Sequence, residues 1–373
     1  MKYYIIAGEA SGDLHGANLM KEIKGLDPQA EFRFWGGDLM QEQGGTLVKH
    51  YRDLAFMGFA EVAMNLRTIL NNLSFCKKDL LSYNPDAVIF IDYPGFNMRI
   101  AEFAKKQGIP THYYISPTVW AWKENRVKKI KRDFDYLYCI LPFEKDFYES
   151  KHDYKVYYLG NPLLDAIKDL PPVNESALRA ELNINSDKPI IALLPGSRKQ
   201  EISKILSVML SVIKDYPGYE FVIAGAPSID FEFYEPFIEM DHVHFLSNRT
   251  YDLLGVAHAG LVTSGTATLE TALFRVPQVV CYKTSPISYR IAKAVVDLKY
   301  ISLVNLIMDK EVVKELIQGD LNTNRLRKEL DHILDKKHRE IMATEYANLA
   351  EILGGGGASA RVAKHIVDSF TTK

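Results

Sequence analysis

Short apolar runs rich in Val, Ile, Tyr and Phe recur along this chain, and helical patterns fill the intervals between them. The first half carries Tyr3–Ala7, Phe32–Trp35, Ala87–Ile91, Thr111–Ile115, Tyr136–Leu141 and Val156–Leu159. The second carries Ile190–Leu194, Phe221–Ala224, Val243–Leu246, Leu261–Thr263 and Val279–Tyr282. Runs so uniformly apolar read as strands buried on both faces. Strands that alternate with helices form parallel sheets joined by right-handed crossovers. A chain of 373 residues accommodates two domains of about 150–200 residues each. Leu170-Pro171-Pro172-Val173-Asn174 is the natural boundary, because paired prolines fit neither a helix interior nor a central strand. The expected fold class is α/β, with two Rossmann-like parallel-sheet domains, 1–170 and 171–353, facing across a cleft. Ligands of such sheets lie outside the carboxyl ends of the strands.

Past the second domain, Gly354–Gly357 reads as a flexible joint. A last helix over Ser359–Phe370 sets Val362, Ile366, Val367 and Phe370 on one face. That face must pack on the first domain, which segment 358–373 would then complete, or on a partner subunit in a homodimer.

Composition narrows the function classes. The formal charge of −2 weighs against a nucleic-acid binder. Cys76, Cys139 and Cys281 are widely spaced and form no C-x-x-C pair, as expected of buried thiols in a reducing compartment. Met1-Lys2 leads into an apolar stretch shorter than a secretory signal requires, and no run approaches the roughly 18 residues of a spanning helix. The expectation is a soluble protein, or one that lies on a membrane without crossing it. His242-Val243-His244 lacks a third ligand nearby, so neither a metal nor a cofactor is called for.

In the second half, Leu194-Pro195-Gly196-Ser197-Arg198 follows a strand, and Arg198 offers a planar fork suited to phosphate oxygens or to the nearby Glu201. Ser264-Gly265-Thr266-Ala267-Thr268-Leu269-Glu270 follows another strand. Ser264 or Thr266 can cap a helix whose free N–H groups attract an anion. Glu270, more than one turn in, can accept two hydroxyls of a ribose diol or can simply face solvent. Two anion-holding turns and one acid for a diol suit a nucleoside diphosphate.

In the first half, Ile91-Asp92-Tyr93-Pro94-Gly95 ends a strongly hydrophobic strand on an acid. A partly desolvated Asp92 would have a raised pKa and serve as a base, or would cap the next turn. Asn97 and Arg99 are placed to hold Asp92 or the substrate. Ser116 and Trp122 follow a further strand, either at the substrate or in the core. Phe59, Val62, Ala63, Leu66, Ile69 and Leu70 share one helical stripe, either core or a surface that dips into a bilayer or receives acyl chains.

With these residues in hand the chain resembles the lipid-A-disaccharide synthases, inverting glycosyltransferases of the two-domain GT-B type. The resemblance rests on Ala7-Gly8-Glu9-Ala10-Ser11-Gly12-Asp13, Phe56-Met57-Gly58, Ile91-Asp92, Ser116-Pro117 with Trp120-Ala121-Trp122, Leu141-Pro142-Phe143-Glu144, Leu194-Pro195-Gly196-Ser197-Arg198, and Ser264-Gly265-Thr266-Ala267 with Glu270. It implies transfer of 2,3-diacylglucosamine from its UDP donor to the 6-hydroxyl of 2,3-diacylglucosamine 1-phosphate, giving a β-1,6 disaccharide phosphate and UDP. It implies that Asp92 is the base and that Arg198, Ser264, Gly265, Thr266 and Glu270 hold UDP, with Asn305 and Gln318 near the donor. Gly8, Ser11 and Gly12 would let backbone close on sugar or acyl groups. Glu9 and Asp13 would accept hydrogen bonds near the anomeric carbon, or cap the first helix. The Phe59–Leu70 stripe would face the inner surface of the cytoplasmic membrane. Gly95 departs from the family pattern, which places another acid after the proline. Other readings are a UDP-N-acetylglucosamine 2-epimerase of the same fold, a dinucleotide dehydrogenase (weakened by the lack of G-x-G-x-x-G after Tyr3–Ala7) and a non-catalytic lipid-binding protein.

Overall fold

The computed structural model describes residues 1–54, 66–226, 229–285, 289–290 and 298–371; the side chains of Leu66, Trp122 and Thr371 lie outside that description. The chain divides into two compact units. Unit 1 is Met1–Lys168 with Leu353–Lys373, and unit 2 is Asp169–Ile352.

In unit 1 the strands are β1 (Lys2–Ala7), β2 (Glu31–Gly36), β3 (Thr46–His50), β4 (Ala87–Ile91), β5 (Thr111–Tyr114), β6 (Tyr136–Cys139) and β7 (Tyr157–Tyr158). They form one parallel sheet in the order β3-β2-β1-β4-β5-β6-β7. In unit 2 they are β8 (Ile190–Leu194), β9 (Glu220–Gly225), β10 (Val243–Ser247), β11 (Ala259–Thr263), β12 (Gln278–Tyr282) and β13 (Lys314–Ile317). These too are parallel, in the order β10-β9-β8-β11-β12-β13. Each sheet starts in its middle, winds outward one way, then returns and winds the other. Its switch point, where ligands of doubly wound sheets bind, falls between β1 and β4 in unit 1 and between β8 and β11 in unit 2.

The central strands are the apolar runs of the sequence. β3 and β13 are not among them. Thr46-Leu-Val-Lys-His and Lys314-Glu-Leu-Ile lie at sheet edges and are mostly half-exposed, so no continuous apolar run marks them.

One face of the unit 1 sheet packs Tyr4, Ile6, Val88 and Phe90 with Leu73, Cys76 and Leu80 of helix Leu66–Tyr83. The other packs Tyr3, Ile5, Ile89 and Ile91 with Val362, Ala363 and Ile366 of helix Ala358–Thr371, and Val367 and Phe370 join them. The apolar stripe of the last helix is thus covered by unit 1 itself, which removes the reason to expect a homodimer through it. The glycine run before it is not a loose joint. Gly354, Gly355 and Gly357 all have positive φ. Arg361 donates to the carbonyls of Gly356 and Gly354 at 2.9 and 3.4 Å, and Asp165 accepts from the amides of Gly357 and Ser359. The three cysteines are buried and free. Among the described residues no helix is long and apolar enough to cross a membrane.

Candidate active site

At the switch point of unit 1, Ala7 pairs with Ile91 across β1 and β4. The next residues of each strand, Gly8-Glu9 and Asp92-Tyr93, therefore leave the sheet side by side. A Cβ on Gly8 would lie 2.3 Å from the Tyr93 ring, so only glycine permits this approach of one turn to the other. Sequence resemblance assigned that closeness to a sugar or acyl group; here a tyrosine ring occupies it. Likewise Gly12 is buried, and a Cβ there would meet Ala7 at 3.2 Å and Ile91 at 3.7 Å, so it fits helix Ala10–Leu26 onto the sheet. Ser11 is exposed.

Asp92 and Tyr93 both adopt left-handed φ, 43° and 47°, as does Ile115 at 68° after β5. Such conformations are costly for non-glycine residues, most of all for a β-branched one, and gather where function over-determines the backbone. Here the Asp92 amide donates to the Tyr114 carbonyl at 3.2 Å. Its carbonyl accepts from Asn97 Nδ2 at 2.7 Å and from the Tyr113 hydroxyl at 3.0 Å. Asn97 is fully buried and also reaches the carbonyls of Ile91 and Ile6 at 3.3 and 3.4 Å. Its Nδ2 is spent on backbone, so Asn97 positions Asp92, while its buried Oδ1 has no hydrogen-bond partner among the described residues. The carboxyl of Asp92 is pushed up to about 6, first by burial and then by the negative charge of Glu9, against a lowering hydrogen bond from the Tyr93 backbone.

The two acids of the first turn separate. Glu9 is exposed at the N-cap of helix Ala10–Leu26 and makes no side-chain cap bond. Asp13 is buried, and its carboxylate accepts from the amides of Gly37, Leu39 and Met40 at 2.7, 3.1 and 3.1 Å. Expected beside the sugar or at the first helix, it instead caps helix Asp38–Glu42 after β2. Ser116 is also turned inward. It is buried, and its hydroxyl bonds the Tyr148 hydroxyl at 2.9 Å. Trp120 Nε1 donates to Glu144 at 3.1 Å, while that fully buried carboxyl accepts from the Ile140 and Leu141 amides and is pushed up to about 7 by burial. The Trp122 side chain lies outside the described residues, as do Phe59, Val62 and Ala63 and the Leu66 side chain. The rest of that stripe divides. Ile69 packs against the core of unit 1, and Leu70 is 56% exposed.

At the switch point of unit 2, Leu194 pairs with Val262 across β8 and β11. The Gly196-Ser197-Arg198 and Ser264-Gly265 turns therefore leave the sheet side by side as well. Arg198 extends into solvent and meets Glu201 at 3.2 Å. Gly265, at φ 148°, is the N-cap of helix Thr266–Leu273, and a Cβ there would meet nothing within 4 Å. Backbone conformation and open space, not a serine or threonine cap, thus begin this helix. Ser264 donates to the Ile301 carbonyl at 2.8 Å, and Thr266 is exposed as the first helical residue. The leading N–H groups of a helix have no intrahelical partner and attract anions. Glu270 is desolvated, which raises its pKa, while a 2.7 Å hydrogen bond from the Tyr251 hydroxyl opposes that rise.

Asn305 is fully buried. Its amide donates to the Val313 carbonyl and Glu315, at 2.8 and 2.9 Å, and accepts from the Val312 and Val313 amides, at 2.8 and 2.9 Å. Glu315 also accepts from the Ile301 and Ser302 amides at 3.0 and 2.9 Å. With no polar atom of Asn305 left for a donor, this pair fixes the loop that Ser264 grips. Asn305→Ala should cost about 3 kcal/mol, because buried partners are left unpaired. Urea unfolding of unit 2 reads this directly, and a loss below about 1 kcal/mol would contradict it. Gln318 stands at the carboxyl end of β13 with φ 54°, and its buried Nε2 has no partner.

Sequence reading missed Tyr93, Tyr113 and Tyr251. Tyr93 adjoins Asp92 and was legible by position. Tyr113 and Tyr251 reach their partners only through the fold.

Two doubly wound parallel sheets, one in each unit, define the class of two-domain α/β proteins built from a pair of Rossmann-like units. Among solved structures, UDP-GlcNAc 2-epimerase from Neisseria meningitidis, bound to UDP-GlcNAc, superposes with a TM-score of 0.72 at 16% identity, covering 100% of both chains. A glycosyltransferase from Rickettsia africae ESF-5 gives 0.60 at 12% identity, covering 98% of this chain and 97% of that one. At such identities these likenesses speak for the fold alone. The family described as lipid-A-disaccharide synthetase matches residues 3–363. The lipid-A-disaccharide synthase of Anaeromyxobacter sp. (strain K) is 36% identical over 371 residues, 97% of this chain and 96% of the relative. That of Geobacter metallireducens is 36% identical over 376 residues, 99% and 97%. The chain belongs to this family and is a glycosyltransferase of lipid A biosynthesis.

Proposed function

We propose that the protein transfers 2,3-diacylglucosamine from UDP to the 6-hydroxyl of 2,3-diacylglucosamine 1-phosphate, with unit 1 serving the acceptor and unit 2 the UDP-sugar. One observation carries the reading: the two switch points hold opposite chemistry. Acid lies after β1 and β4, and arginine with open helix amides lies after β8 and β11. Asp92 takes the proton of the attacking hydroxyl. The oxygen bonds the anomeric carbon as the bond to UDP breaks on the opposite face, so a single displacement inverts the centre. Arg198 and the N–H groups of Gly265 and Thr266 take up the charge on the departing diphosphate. Glu270 accepts the ribose hydroxyls, and Gln318, whose buried Nε2 has no partner among the described residues, follows β13 in the same unit. Glu9, exposed beside Asp92, keeps that acid's affinity for a proton high. Exposed Leu70 and the acyl chains of both substrates support a peripheral position on the inner face of the cytoplasmic membrane.

The test is UDP release from the diacyl donor with and without acceptor, in EDTA, across pH. Release should require acceptor and survive EDTA. Asp92 works only when deprotonated, so kcat/KM should fall tenfold per unit below about pH 6. Glu9→Gln removes a charge that raises that value, and should move the fall to lower pH. Epimer formation from the donor alone, or UDP release without acceptor, would reject the reading.

A further inference from the structure

We propose that Tyr251 is a positioning residue that orients the Glu270 carboxylate and so sets a preference for UDP over 2′-deoxy-UDP. The inference rests on the reading of Glu270 as acceptor for the ribose diol. A glutamate carboxylate turns about a broad terminal torsion with little intrinsic preference. Two hydroxyls of a rigid ring need it held in one plane. Tyr251 supplies the constraint, since its hydroxyl donates to Glu270 Oε1 at 2.7 Å. The phenol is itself fixed. It lies in helix Thr250–Val256, its ring is 5.4 Å from Phe274, and it packs against the core of unit 2.

An ionised carboxylate has about four acceptor directions. Tyr251 uses one, on Oε1, and leaves both directions of Oε2 and the second of Oε1 for a diol. Burial favours the neutral form of Glu270, and the Tyr251 hydrogen bond favours the charged one. A neutral carboxyl would offer a proton where a hydroxyl must donate. The same hydroxyl therefore fixes both the plane of the carboxylate and its capacity to accept twice.

The experiment is calorimetric titration of the full-length chain, as wild type, Tyr251→Phe and Glu270→Gln, with UDP and with 2′-deoxy-UDP. Wild type should favour UDP by about 10–100-fold, the worth of one hydrogen bond to a charged group. Glu270→Gln should nearly abolish that preference. Tyr251→Phe keeps the ring and its packing, yet should narrow the preference to about threefold or less, with 2′-deoxy-UDP affinity held within about twofold. In turnover it should raise KM for the donor and leave kcat in place, because the lost interaction is made equally in the ground and transition states. A Tyr251→Phe protein that keeps the wild-type preference overturns the role of Tyr251 and leaves that of Glu270 standing. Equal weakening of both nucleotides with a lowered melting temperature also overturns it, as a merely structural effect. If wild type shows no preference, or Glu270→Gln retains it, the reading of Glu270 falls and this inference with it.

Discussion

Asp92→Asn should lower kcat by about 10²–10⁴-fold, the usual worth of a positioned base, and leave UDP affinity unchanged. Asparagine is the informative replacement. Asp92 sits at φ 43°, a region asparagine enters more readily than most residues. The three hydrogen bonds that hold the turn, with the Tyr114 carbonyl, the Tyr113 hydroxyl and Asn97 Nδ2, all involve the Asp92 backbone and survive the change. Only the ability to take a proton is lost. Burial disfavours the charged carboxylate in the native protein, so the amide should fold at least as stably. UDP affinity should hold because the groups proposed to bind it all lie in unit 2. Initial rates, UDP titration and a melting curve on one preparation separate these effects. Turnover within about tenfold of wild type, in a protein that still binds UDP, would remove Asp92 as the base.

The central strands were legible because each is apolar on both faces and bounded by turn residues. β1, β4, β8 and β11 were all marked by that pattern, and with them the two switch points. The edge strands β3 and β13 were not, because Thr46, Lys49 and His50 in one and Lys314 and Glu315 in the other interrupt any apolar run on strands that are mostly half-exposed. Within the proposed site, the sequence marked positions and not roles: Asp92 just beyond β4, Arg198 in the turn after β8 and Glu270 inside the helix after β11. The fate of an individual polar side chain could not be read, because partners come from other elements. Asp13 finds its amides at Gly37 to Met40, across another strand. Ser116 finds Tyr148, Asn305 finds Glu315, and Asn97 finds the ends of both β1 and β4. Ser116 and Asn97 were read as substrate contacts or as supports, and Asp13 and Asn305 were placed near the donor sugar by the resemblance alone. Sequence alone does not say which carbonyl or amide will be left needing a partner. Gly8 shows the same limit in steric form: its need for a missing Cβ was plain, but the ring that fills the space comes from Tyr93.

Arg198→Ala should weaken UDP binding by about 10–100-fold, since a charge-assisted bond to a phosphate is worth roughly 1.5–3 kcal/mol. The competing partner in the structure is Glu201, at 3.2 Å from an arginine that is 79% exposed. An exposed ion pair of that kind contributes about 0–1 kcal/mol. A diphosphate, with more charge and a geometry that matches the guanidinium fork, therefore displaces Glu201 at little cost. The same balance governs two further variants. Arg198→Lys keeps the charge but loses the planar fork, and should recover only part of the affinity. Glu201→Gln removes the competitor and should tighten UDP slightly, most visibly at low salt. The loss in Arg198→Ala should appear in kcat as well as in KM, because charge on the diphosphate grows as the bond to the sugar breaks. This distinguishes Arg198 from Glu270, whose ribose contacts do not change along the reaction and should act on KM alone. Calorimetry with UDP and initial rates over a range of donor concentration supply both readouts. An alanine variant that binds UDP within about twofold of wild type would place the diphosphate elsewhere.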